Sequence, residues 1–174
     1  MKTEILAKPD EYRYRITDFS LYDGDTYTVR AEVEYVIRVD LGFGRTATLD
    51  FVQEETFKVR LYGFDTPELR DKRPLHKAAG YLAREMVAEW VRQARTRGAC
   101  YFLSEGYEKG KYGRPMGDLV DANGQRLSAY LVERRLAVPY HGQNKADIQA
   151  EHEANVQYLM ESGEISKWDT VELP

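Results

Sequence analysis

Cysteine is almost absent from this chain: Cys100 is the only one in 174 residues. That excludes an intrachain disulfide and every zinc or iron–sulfur site built on several cysteines. Its setting, GACYFL, reads as a buried strand thiol rather than a nucleophile. The three histidines, His76, His141 and His152, lack metal-ligand spacing, so core or surface placement is expected of them. Long apolar runs are missing too. None approaches the ~20 residues of a membrane-crossing helix, and no membrane partner is expected. The N-terminal stretch MKTEILAKPDEYRYRI lacks the apolar core of a secretory signal, so a cytoplasmic location is expected. No repeat, low-complexity tract or linker rich in proline, glycine and serine interrupts the chain, and residues 1–174 are read as one domain. Nor is there a phosphate loop, a dinucleotide fingerprint or a Ser/His/Asp string.

Net positive charge is also lacking, with 25 basic against 29 acidic side chains and a net of −4. This argues against an overall basic coat for nucleic acid. The charge is unevenly spread, however. Residues 57–145 carry 17 basic and 10 acidic side chains, while both flanking segments are acidic. A basic middle with carboxylates inside it suits an anion-binding metal site; it equally suits a solvated surface.

What is present is a sheet-rich pattern. Thirteen tyrosines and many β-branched residues favour strands. Residues 12–20 read as a first strand ending at YDGD. In residues 25–40, Tyr27, Val29, Ala31, Val33, Tyr35, Ile37 and Val39 alternate with mostly polar positions, the period-2 signature of a half-buried strand. LGFGRT turns the chain back into a third strand over 46–62, where Phe57, Val59 and Leu61 share one face. Lys58 and Arg60 therefore share the other. Residues 74–97 switch to helical period, with Leu75, Ala78, Ala79, Leu82, Met86 and Trp90 on one stripe. Strands are expected at 99–105 and 115–122, and helices at 128–135 and 146–160. Trp168 is expected to pin the C-terminus. Five strands with a helix after the third match the connectivity of an OB-fold β-barrel, so the fold class is α+β with three helices.

Four clusters could carry chemistry. Asp23-Gly24-Asp25-Thr26 reads first as a turn and second as a metal site. Phe64-Asp65-Thr66-Pro67-Glu68 reads first as a strand exit with a proline turn. Arg60 reads first as a solvated arginine, and Lys111-Tyr112-Gly113-Arg114 as a hairpin connection. Together they read differently. A phosphodiester hydrolase using a hard cation needs oxygen ligands from separate segments, which Asp25 and Asp65 could supply. It needs a group to take a proton from water, and Glu68 lies three residues past Asp65. It also needs fixed positive charge on the phosphoryl oxygens, a role suited to the planar, permanently charged forks of Arg60 and Arg114.

The strings YDGDTYTV (22–29), VRLYGFDTPELR (59–70), KYGRPMGDL (111–119) and LVERRLAVPY (131–140), in this order, resemble the staphylococcal nuclease (thermonuclease) family over roughly residues 12–168. The resemblance implies hydrolysis of single-stranded or frayed DNA and of RNA to 3′-phosphate and 5′-hydroxyl ends. It implies calcium held by Asp25, Asp65 and the Thr66 carbonyl, with Asp23 as an outer contact. Glu68 becomes the general base, and Arg60 and Arg114 hold the scissile phosphate. Lys111 and Tyr112 contact a neighbouring phosphate, and Tyr140 lies near the base.

Two features depart from the secreted members of that family. The chain is acidic overall, and 35 residues separate Asp25 from Arg60, which predicts a long hairpin over about 30–56. That hairpin reads first as a structural flap, with partner or substrate contact as the alternative. A catalytically silent nuclease-like module binding nucleic acid or protein is the competing function, and a plain OB domain with a protein partner is a third.

Overall fold

The structure, a computed structural model, describes residues 3–4, 12–109 and 113–166. Its strands are β1 (Thr3–Glu4), β2 (Tyr12–Leu21), β3 (Thr26–Gly42), β4 (Arg45–Leu61), β5 (Phe64–Asp65), β6 (Cys100–Lys109), β7 (Pro115–Asp121) and β8 (Val138–Pro139). The helices are α1 (Pro74–Thr96), α2 (Leu127–Glu133) and α3 (Lys145–Glu161). Five strands close into a ring in the order β3-β2-β6-β7-β4, with β3 pairing back onto β4. All pairs are antiparallel except β4–β7, where Arg60 lies beside Met116 and Leu61 beside Gly117. The fold is therefore α+β, with the five-stranded closed sheet and three helices that the OB connectivity implies.

The alternation in β3 places Tyr27, Val29 and Ala31 in the core, where Val59 and Leu61 of β4 join them. Phe102, Leu119, Leu127, Leu131, Leu136 and Leu159 complete the interior. Cys100 is fully buried and its thiol is pushed up to about 12, chiefly by burial, so it is a packing residue rather than a nucleophile. The helical stripe of α1 differs from the sequence expectation. Ala79, Ala83, Val87, Val91 and Ala94 are buried with Ala78 and Trp90, whereas Leu75, Leu82 and Met86 pack only partly against the core. Small side chains on the innermost line let the helix approach its neighbours closely, and the larger ones fill its flanks.

Beyond the ring, β3 and β4 continue as the expected hairpin. Its tip has Gly42, Phe43 and Gly44 all at positive φ. The two-residue turn Phe43-Gly44 thus has the left-handed backbone that matches strand twist. Tyr35 stacks on Phe51, with ring centroids 5.2 Å apart, and the Tyr35 hydroxyl donates to Glu55. Two pairings were not legible in the sequence: β1 against the outer part of β3, and the two-residue strands β5 and β8 against each other. Trp168 lies outside the described residues. Among the described residues, no helix is long and apolar enough to cross a membrane.

Candidate active site

Asp25 sits at the start of β3, where the Tyr22–Asp25 turn hands the chain into the strand. The turn is held from within: Asp25 N–H donates to Asp23 Oδ1 at 3.3 Å, and the Tyr27 hydroxyl donates to the Gly24 carbonyl at 2.6 Å. Gly24 has a second role beyond turn geometry. A Cβ there would stand 2.7 Å from Thr66 Oγ1 and 3.1 Å from the Ala83 methyl. Only glycine lets this turn lie against the segment that carries Asp65. The register of β3 on β4 then sets Thr26 opposite Arg60, so the arginine emerges beside Asp25.

Asp65 ends β5. Its backbone is fixed by the short pairing with β8, Asp65 against Val138, and by Tyr140 N–H donating to the Gly63 carbonyl at 2.7 Å. Thr66, Pro67 and Glu68 then run over α1. A second close approach occurs here, because a Cβ on Gly80 would meet the Pro67 carbonyl at 2.9 Å and the Glu68 carbonyl at 3.0 Å. Glycine inside a helix costs about 1 kcal/mol relative to alanine, and this contact is the physical reason for it.

These segments bound a cavity of about 570 Å³ lined by Asp25, Arg60, Asp65, Thr66, Glu68 and Arg114, together with Asp23, Tyr22, Lys58, Arg70 and Tyr81. One nitrogen, Arg60 Nη2, donates to Asp25 Oδ2 at 2.8 Å and to Asp65 Oδ1 at 3.0 Å. Arg114 Nη1 lies 3.4 Å from Thr26 Oγ1, whose hydroxyl donates to Asp25 Oδ1 at 3.0 Å. Asp25 is buried, and its pKa is raised to about 7, first by burial and further by Asp23 and Asp65, with Arg60 pulling the other way. A carboxylate so placed favours a nearby cation.

The donor set fits a hard cation. Two carboxylates from separate segments face one point that a positive nitrogen occupies within 3.0 Å of both, and Thr66 lines the same cavity. Among the described residues that line the cavity, the side chains able to ligate a metal are oxygen donors, the chemistry of calcium or magnesium rather than zinc. No three His, Cys, Asp or Glu side chains among the described residues are grouped as metal ligands. Backbone carbonyl, water and phosphate oxygens could complete such a shell.

Of the other sequence candidates, Lys111 and Tyr112 lie outside the described residues. Tyr140 is half-buried beside β8 and does not line the cavity. Sequence reasoning missed two groups. Tyr22 and Lys58 line the cavity with the Lys58 ammonium 5.5 Å from the Tyr22 ring centre. Lys58 shares the Arg60 face of the strand, which was the available signal. The second group is His152, read as a core or surface residue. It is buried in α3, and its Nε2 lies 3.2 Å from Asp65 Oδ2. Eighty-seven residues separate the two, and no local spacing announces such a contact.

The stretch from Glu68 to α1 is braced by Asp71. It accepts from the Arg73 backbone at 2.8 Å and from the Arg73 guanidinium at 3.0 and 2.7 Å. Those hydrogen bonds, working against its partial burial, hold the Asp71 carboxyl down to about 2. The native state therefore takes up this proton less readily than the unfolded chain. The stabilisation is fully present above the ordinary carboxylate value of 3.8 and is lost as pH falls through about 2. Urea unfolding of wild type and Asp71→Asn should show a stability difference that is constant near neutrality and shrinks across that window.

A family model described as staphylococcal nuclease homologue matches residues 58–164. No curated protein matches the chain. The matched stretch contains Arg60, Asp65, Glu68 and Arg114 but begins within β4, after the hairpin. Asp25 therefore falls outside it, although strand pairing returns Asp25 to the same cavity. With well over half of its residues covered, this chain belongs to the staphylococcal nuclease family.

Proposed function

We propose that this protein is a calcium-dependent nuclease that hydrolyses DNA or RNA to 3′-phosphate and 5′-hydroxyl ends, acting as a single domain whose core spans about 12–168. The observation that carries this reading is the single Arg60 nitrogen bonded to both Asp25 and Asp65, in a cavity that Glu68 and Arg114 also line. Asp25, Asp65 and the Thr66 carbonyl would hold the cation, which supplies Lewis-acid charge to a phosphoryl oxygen when bound.

The chain's own groups account for the remainder. Glu68 takes a proton from the attacking water as its oxygen bonds to phosphorus. The bond from phosphorus to the 5′ oxygen breaks, that oxygen takes a proton from solvent and leaves as the 5′-hydroxyl, and the phosphate stays on the 3′ side. Arg60 turns from the two carboxylates to the phosphoryl oxygens, where Arg114 adds a second fork. Once Arg60 has turned, negative charge develops against two guanidinium forks already in place. Tyr22, Tyr81, Lys58 and Arg70 on the cavity wall suit an unpaired strand, whose bases can stack and whose backbone needs cations.

The test is digestion of single-stranded DNA by the full chain in calcium, in chelator, and by Asp25→Asn and Asp65→Asn. The expected result is cleavage with calcium only, lost in both variants. A folded protein that binds the strand yet never cleaves it would overturn the reading in favour of a silent binding module.

A further inference from the structure

We propose that His152 is a positioning residue that fixes the Asp65 carboxylate for cation binding, with α3 acting as a clamp on the catalytic segment; this rests on Asp65 being a cation ligand. Ile148, His152, Asn155, Val156 and Leu159 form the buried line of α3, spaced as one helix face. His152 therefore stands where an apolar side chain would be the default. A buried polar group there costs stability unless it is hydrogen-bonded, and its partner is Asp65 Oδ2 at 3.2 Å. An ionised carboxylate only accepts, so Nε2 carries the hydrogen.

The consequence for Asp65 is geometric. β5 is only two residues long, and one short pairing fixes its backbone but not the rotation of a carboxylate. With Oδ2 held from α3 by His152, Oδ1 is the oxygen presented to Arg60 and so to the point shared with Asp25. The neighbouring residue on α3 completes the clamp. Glu153 accepts from Arg73 and lies 2.9 Å from His76 Nε2. Two consecutive residues of one helix thus grip both ends of the segment 65–76, within which Glu68 lies. Between helix and segment is a small cavity of about 80 Å³ that Asp65, Glu68, His76 and His152 all line.

Outer partners of metal ligands typically change metal affinity by about 10–100-fold when removed. Calcium titration calorimetry on the full chain measures this directly, with His152→Leu, His152→Asn, His152→Gln and Asp65→Asn. Leucine keeps the bulk without a donor. Asparagine carries a donor that falls short, and glutamine carries one at the reach of Nε2. Leucine and asparagine should weaken calcium binding about 10–100-fold, and glutamine should restore it to within a few-fold. Should the leucine variant fail to fold, the asparagine–glutamine pair decides alone. Wild-type affinity in His152→Asn, or equal weakening in all three, would overturn the positioning role. Wild-type affinity in Asp65→Asn would instead overturn the ligand assignment on which it stands.

Discussion

Arg60→Lys should lower kcat by about 10²–10³-fold, the range seen when one preorganised donor to a developing oxyanion is lost. Lysine keeps the charge but not the planar fork, and its single ammonium cannot satisfy two oxygens of one phosphoryl group in parallel. The resting structure adds a second reason. Arg60 Nη2 joins Asp25 and Asp65, so the same side chain neutralises the carboxylate pair before substrate arrives. Arg60→Ala should therefore lower thermal stability in chelator, because the buried Asp25 loses its cation. Added calcium should raise the melting temperature more in this variant than in wild type. Arg60→Lys with activity within tenfold of wild type would remove Arg60 from the transition state and leave it a structural ion-pair partner.

Gly80→Ala is the second large effect, and it separates function from stability. Alanine in a helix interior is favoured over glycine by about 1 kcal/mol, so propensity alone makes this a stabilising change. Its Cβ would nonetheless press on the carbonyls of Pro67 and Glu68 at 2.9 and 3.0 Å, where backbone has to move. A displacement on the order of 1 Å of a catalytic group costs about 10²-fold in rate. The expected result is a folded protein with a melting temperature near wild type and activity lower by about 10²-fold. Full activity in a folded Gly80→Ala protein would show that Glu68 does not depend on this contact.

The hairpin and much of the cavity were legible because their signals are local. Alternation over 25–40, glycines at the tip and the strand face shared by Lys58 and Arg60 are short-range patterns, and the structure places them as read. The Asp23-Gly24-Asp25 turn was legible only in company. Alone it is a common turn, and only Thr66 packing against Gly24 explains why glycine is required. The α1 stripe was displaced because large apolar residues dominate a periodicity reading, while the closest helix packing uses alanine. His152 was missed for a different reason. Its partner lies across the fold, and helix α3 reaches Asp65 through tertiary packing that no sequence window contains. The same holds for β5 and β8, each too short to announce itself, although their pairing sets the backbone of Asp65.

The most direct single measurement is the identity of the ends left when this protein digests single-stranded DNA in calcium. The expected termini are 3′-phosphate and 5′-hydroxyl, with no products in chelator. Products ending in 5′-phosphate, or the same cleavage with the cation removed, would contradict it.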